Sequence, residues 1–266
     1  MSVILRNGAL IDAVPSLLYR AARHADARRL ANSRWLLRRK SDGRYLACAD
    51  QLHVGQEYAL ARLSPADARA LRHFLGDEAF RPGKVPGTQT RRLLDQLGLQ
   101  AARYCERTGL AWADEPTSLH GAGLDRYGRP LWLTADTSAA WRRLLDAAAD
   151  DDIALDAISG FRSHAYQLGI FRRKLSRGQS VEQILTVNAA PGFSEHHSGE
   201  AIDIGTPGEP PAEASFEHTD AFAWLGTHAE RFGFRLSYPR DNPHGITYEP
   251  WHWRYVGGGK SLLLSR

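Results

Sequence analysis

The sequence predicts an α+β fold, a small antiparallel sheet flanked by helices, with a smaller N-terminal accessory region of mixed structure. Helical periodicity dominates the earlier part of the chain, short strand-like runs cluster after residue 150, and there is no internal repeat or low-complexity tract. The 266 residues, 43% hydrophobic and 24% charged, have the profile of a soluble globular protein able to build a core without disulfides.

Residues 15 to 40 carry Leu17, Leu18, Ala21, Ala22, Leu30, Leu36 and Leu37 at mixed helical spacing and are expected to be a helix. Asp42–Gly43 reads as a turn before a strand over 44–52. Ser64 caps the next expected helix, with Pro65 at its first position and Asp67 in its first turn. The stretch 81–89, rich in Pro and Gly, reads as a linker; a helix over 89–107 follows, its apolar set including Leu93, Leu94, Leu97 and Tyr104. Thr137 could cap a helix through Trp141, Leu144 and Ala148. A buried strand over 153–158 ends at Ser159–Gly160–Phe161–Arg162–Ser163, and a helix over 166–177 comes next. Strands are expected over 200–204, 235–238 and 252–256, with a helix over 222–231 terminated by Gly233. This gives an accessory region 1–85 with no legible role, a helical linker 86–114 and a catalytic domain 115–266.

Two cysteines, Cys48 and Cys105, exclude a cysteine-based zinc site and argue against a disulfide framework; two buried thiols fit a reducing compartment. The N-terminus lacks the apolar core and cleavage site of a signal peptide, and no stretch reaches the ~20 apolar residues of a membrane span. The expectation is a cytoplasmic protein, or a periplasmic one if an export segment has been trimmed. The net charge of +4 is uneven, with ten Arg and Lys against three Asp in residues 1–45. That is read as the solvated face of an Arg-rich helix. No nucleic-acid motif accompanies it, so nucleic acid is not an expected partner. Oligomeric state is left open.

The chemistry lies in three segments. Ser194–Glu195–His196–His197–Ser198–Gly199–Glu200–Ala201–Ile202–Asp203 packs imidazoles and a carboxylate into ten residues. His196 and Asp203 are seven apart and would face opposite ways on one straight strand, but Gly199 lets the chain turn between them. Asp203 sits between Ile202 and Ile204, where a buried carboxylate needs a cation or metal partner. In Tyr248–Glu249–Pro250–Trp251–His252, the proline excludes a helix interior and suggests the start of a strand. Two imidazoles and one carboxylate satisfy a catalytic zinc with an open position, and Glu249 is left to move protons. Arg162, at a strand end, can stabilise an oxyanion or hold a substrate carboxylate, and Gln167 can add a hydrogen bond. Taken singly each piece has an ordinary reading, such as a capping histidine or a salt-bridged arginine. The three together, in this order, shift the balance.

Ser194-x-His196-x-x-Gly199-x-Ala201-x-Asp203 followed by Glu249-x-x-His252 resembles the signature of the VanY-type D-alanyl-D-alanine carboxypeptidases. The words Ser-Gly-Phe-Arg-Ser, Pro-Gly-Phe-Ser-Glu-His and Glu-Pro-Trp-His-Trp-Arg-Tyr-Val-Gly strengthen the resemblance, which covers residues 115 to 258 without departure at a chemical position. It implies a small zinc peptidase fold with Zn2+ in the cleft on His196, Asp203 and His252. His197 is then not a ligand, and Glu249 is the catalytic base. Arg162 contacts the substrate carbonyl or carboxylate, and Ser194 and Gln167 lie near the terminal D-residue. The implied reaction removes a C-terminal D-alanine from a peptidoglycan stem peptide or muropeptide. A cytoplasmic setting tilts the expectation toward L,D-carboxypeptidase action on recycled tetrapeptides. The alternatives are D,D-carboxypeptidase action on D-Ala-D-Ala pentapeptides and a non-catalytic peptidoglycan-binding module; the intact Glu249 argues against the latter. His120, His164, His218, His228 and His244 are expected at the surface or behind the site.

Overall fold

The computed structural model describes residues 3–21, 24–52, 57–60, 62–78, 83–85 and 87–257. The chain opens with β1 (Ile4–Asn7), β2 (Ile11–Pro15), α1 (His24–Ala31), β3 (Trp35–Arg39), β4 (Tyr45–Ala49) and β5 (Glu57–Ala59). Then come α2 (Pro65–His73), β6 (Lys84–Val85), α3 (Thr88–Gln96), α4 (Ala101–Thr108), β7 (Glu115–Pro116) and the hairpin of β8 (Ser118–Leu124) and β9 (Pro130–Leu133). The remaining elements are α5 (Ala135–Asp150), β10 (Asp156–Ser159), α6 (His164–Leu175), α7 (Val181–Leu185), β11 (Ala201–Gly205), α8 (Asp220–His228), β12 (Phe234–Leu236) and β13 (His252–Tyr255). Two larger sheets result, in the orders β5-β4-β3-β2-β1-β8-β9 and β10-β11-β13-β12, with β6 paired to β7. The α+β expectation holds, with an antiparallel sheet more extensive than the sequence suggested.

The helix expected over 15–40 is a correction: only His24–Ala31 is α-helical, between strands β2 and β3. The reason lies in burial on both faces of the sheet. Ile11, Ala13, Leu37 and Ala47 point to one side, against Leu71 and Phe74 on and after α2, while Val14, Leu36, Cys48 and Leu5 point to the other, with Leu119 and Trp132. Strands buried on both faces lose the alternation that identifies them. The Arg-rich face is corrected too, because Arg38 and Arg39 lie on a strand. Arg38 donates to both oxygens of Asp12, its register partner across β2–β3, at 3.0 and 2.7 Å.

Local signals fared better. Ser64 accepts from the Asp67 amide at 3.1 Å, capping α2 as expected. The long helix over 89–107 is divided into α3 and α4 by Gly98, at φ 72°. Thr134, not Thr137, caps α5; Thr137 is the residue whose amide donates to the Thr134 hydroxyl, at 3.3 Å. Neither cysteine forms a disulfide, and Cys105 is exposed where a buried thiol was expected. No helix among the described residues is long and apolar enough to cross a membrane.

Helices α5 and α8 pack Trp141, Leu144, Trp224 and Leu225 against Ile202, Ile204 and Trp253 of the four-stranded sheet. The seven-stranded sheet joins both parts of the chain, because β1 pairs antiparallel with β8. Beside that seam Lys40 pairs with Glu115, their side chains 2% and 3% exposed. Glu115 also accepts from Asn7 Nδ2 at 2.9 Å and from the His164 amide at the start of α6 at 2.7 Å.

Candidate active site

The site is assembled by register. Antiparallel pairing sets Asp203 of β11 opposite His252 of β13 on one side and opposite Ser159 of β10 on the other. His196 arrives from a short 3-10 turn over Glu195–Ser198 that precedes β11 and ends at Gly199. One ligand-capable atom from each of His196, Asp203 and His252 lies within 4.8 Å of the other two, and the three residues are 2%, 3% and 3% exposed.

Gly199 makes the turn possible. It adopts φ 72°, and a Cβ there would lie 2.6 Å from Leu119 Cδ2 and 3.3 Å from the Thr134 amide nitrogen, whose hydrogen its own carbonyl accepts. Gly199→Ala should destabilise the protein by about 2–5 kcal/mol, adding left-handed strain to overpacking. Chemical denaturation measures this; a loss below 1 kcal/mol would show that β8 and β9 yield at no cost.

Hydrogen bonds fix the face each imidazole offers. His196 Nδ1 donates to the Gly160 carbonyl at 2.7 Å, leaving Nε2 toward Asp203 Oδ1 at 3.2 Å. His252 points Nδ1 at the same oxygen, at 3.2 Å, while its Nε2 donates to Glu195 Oε2 at 2.9 Å. Arg162 takes the other oxygen of Asp203 and is braced by Ser159 Oγ at 3.0 Å. Two imidazole nitrogens and a carboxylate oxygen thus converge, each held from behind by a hydrogen-bonding partner, which fits zinc.

Charge follows from burial and these partners. Burial, helped by Arg162, pushes His196 down to about 4, so Nε2 carries a lone pair at neutral pH. Burial also works to lower His252, but Asp203 and Glu195 outweigh it and hold the ring up at about 10 in the metal-free protein. A dication held by this ring would have to displace a proton from it. Glu249 projects Oε2 to 3.7 Å from His252 Nδ1, and burial raises its carboxyl to about 7. Its backbone is pinned by Tyr238, whose carbonyl accepts from its amide, and by the His252 amide, which donates to its carbonyl.

Arg162, Gln167, Ser194, His196, Asp203, Glu249 and His252, the residues singled out in the sequence, all line one cavity of about 310 Å³. Gln167 donates to the Ala189 carbonyl at 3.0 Å while its Oε1, buried in that wall, has no partner among the described residues. Sequence reasoning missed Glu195, which carries His252 on one oxygen and Arg254 on the other, at 3.2 Å. Its position beside His196 was the available signal. It also missed what His197 does. That ring is fully buried, donates from Nδ1 to the Arg162 carbonyl at 2.6 Å and accepts from the Gly192 amide at 3.1 Å. It lies behind the site with His164, whose ring is 4.4 Å away.

Residues 130–258 match the family model described as VanY, D-alanyl-D-alanine carboxypeptidase. The Bacillus subtilis protein YodJ is 35% identical over 135 residues, 47% of each chain. The Enterococcus gallinarum bifunctional D-Ala-D-Ala dipeptidase and D-Ala-D-Ala carboxypeptidase VanXYC is 32% identical over 141 residues, 51% of this chain and 73% of that one. Among solved structures, the LdcB LD-carboxypeptidase aligns at 32% identity over 48% of this chain and 60% of its own, with a TM-score of 0.45. The match thus spans about half the length of the first of these relatives and nearly three quarters of the second.

Proposed function

Because the chain belongs to the VanY family of D-alanyl-D-alanine carboxypeptidases, we propose that it is a zinc carboxypeptidase removing the C-terminal D-alanine from peptidoglycan stem peptides. The observation that carries the reading is the buried convergence of His196, Asp203 and His252 in a cavity that also holds Glu249 and Arg162. When bound at that triad, zinc supplies a Lewis acid that polarises the scissile carbonyl and lowers the pKa of water toward about 7.

The chain's own residues do the rest. Glu249 takes a proton from the attacking water and returns it to the departing amine; its carboxyl at about 7 suits both transfers, and a nearby dication favours the charged, accepting form. Arg162, braced by Ser159 and Asp203, stabilises the negative charge that develops on the carbonyl oxygen or holds the substrate carboxylate. The unpartnered Oε1 of Gln167 is an acceptor for a substrate N–H, with Ser194 on the same wall. Tyr238 and Trp251 line the cavity and limit the access of water.

The L,D bond of a tetrapeptide is the expectation from the sequence, whereas the relatives named for D-Ala-D-Ala favour the D,D bond of a pentapeptide. D-alanine release from the two peptides, with and without a chelator, tests the whole reading. The expected result is hydrolysis that falls at least about 100-fold on zinc removal and returns on zinc addition. Undiminished hydrolysis in chelator ends the zinc mechanism, and an untouched tetrapeptide ends the L,D reading.

A further inference from the structure

A second cavity, of about 520 Å³, opens between the seven-stranded sheet and α6 and shares Arg162 with the catalytic cavity. Its walls come from distant parts of the chain: Tyr19, Arg38 and Tyr45 from the N-terminal region, and Tyr166, Gly169 and Arg173 from α6. The last three sit at i, i+3 and i+7, one face of the helix. Gly169 is the floor between two larger side chains. A Cβ on it would lie 3.3 Å from Arg173 Nη1, so the guanidinium is folded back toward the helix N-terminus, where Arg162 stands.

The charges in this cavity are unevenly satisfied. Of the eight charged side chains that line it, seven sit in ion pairs, as Arg38 does with Asp12 and Arg162 with Asp203. The Arg173 guanidinium has no ion pair or hydrogen bond among the described residues. An arginine near a helix C-terminus is ordinarily explained by the helix dipole, but this guanidinium lies beside Gly169, well before α6 ends. The cavity therefore offers one uncompensated positive charge, and its walls include the half-exposed Tyr166 and the pair Tyr19 and Tyr45, which pack edge to face at 5.4 Å. An extended, carboxylate-bearing peptide satisfies that combination.

The reach agrees. From His164, the first residue of α6, to Gly169 is about 7.5 Å along the helix axis. Two to three extended residues span about 7–11 Å. A stem peptide carries a γ-linked glutamate, whose α-carboxylate stays free, two residues upstream of the bond to its D-alanine. We propose that this cavity is a subsite for that upstream carboxylate, with Arg173 as its counter-ion and the N-terminal sheet as its roof. The proposal rests on the carboxypeptidase reading in its L,D form, where the glutamate lies two residues upstream and a tripeptide is the product, and it gives residues 1–45 a part in substrate selection.

The test uses the tripeptide that remains after D-alanine has left, which is not itself a substrate. It is titrated calorimetrically into the full-length zinc-loaded protein, with its glutamate carboxylate free and as the carboxamide. The wild type should bind the carboxylate form about five- to twentyfold more tightly, as for a partly screened charge-assisted pair. Arg173→Gln, at an exposed position, should remove the preference and Arg173→Lys should keep it. A wild type without preference, or a preference unchanged in Arg173→Gln, overturns the subsite. D-alanine release from a short acylated peptide lacking the upstream carboxylate reports separately on the carboxypeptidase reading. Its failure leaves the binding comparison standing.

Discussion

Glu249→Gln is expected to lower kcat by about 10²- to 10⁴-fold while the protein keeps its zinc. The substitution preserves volume and removes only the ability to hold and release a proton. Glu249 is not one of the three converging donors, and its backbone is fixed by the Tyr238 carbonyl and the His252 amide whatever its side chain. Metal content and KM should therefore stay within a few-fold of wild type while turnover collapses, the pattern of an interaction made in the transition state. The measurements are D-alanine release and zinc per protein molecule. Turnover within tenfold of wild type would falsify the role of Glu249 as base. Loss of zinc along with turnover would instead make Glu249 part of what holds the metal. Asp203→Ala supplies the contrast, because both oxygens of Asp203 are engaged, by the two imidazoles and by Arg162.

What the sequence disclosed and what it hid divide along chain distance. His196, Gly199 and Asp203 lie within eight residues, Glu249 and His252 within four, so chemistry carried by short segments could be read directly. Gly199 even announced the turn that lets a histidine and an aspartate of odd spacing share one face. The supporting contacts cross long stretches of chain and leave no local mark. Glu195 meets His252 fifty-seven residues on, and Lys40 meets Glu115 seventy-five residues on. β3 was hidden for another reason. Its Leu36 and Leu37 face opposite cores, and Arg38 is neutralised by an aspartate on the neighbouring strand, so the segment shows neither alternation nor an apolar run. Where a side chain's partner is remote, residue type and spacing carry little information, and the basic N-terminal stretch looked like surface.

Lys40→Met tests how firmly that stretch is built into the enzyme, and it should cost about 3–5 kcal/mol of stability at pH 7. The Lys40 ammonium is buried with Glu115 and also donates to the Gly8 carbonyl at 2.8 Å. Methionine fills the space but leaves the Glu115 carboxylate without its counter-charge. The pH dependence identifies the mechanism. Burial works to raise Glu115, but Lys40 and His164, with hydrogen bonds from Lys40 and Asn7, hold it down to about 2 against an ordinary 4.5. This depressed carboxyl contributes stability that is fully present above pH 4.5 and lost as pH falls from there toward 2. In Lys40→Met the balance reverses, and burial lifts the Glu115 pKa above its ordinary value. Acidification from pH 7 then protonates the stranded carboxylate and relieves the variant while the wild type still holds its pair. The gap between the two proteins should narrow by pH 5 and shrink further by pH 3. Urea denaturation at the three pH values reads it, and adding Glu115→Gln to Lys40→Met should recover part of the loss at pH 7, since a neutral amide no longer needs the ammonium. A gap constant from pH 7 to pH 3 would mean that Lys40 acts through packing rather than charge. The seam between β1 and β8, rather than this ion pair, would then be what fastens the N-terminal region to the start of α6.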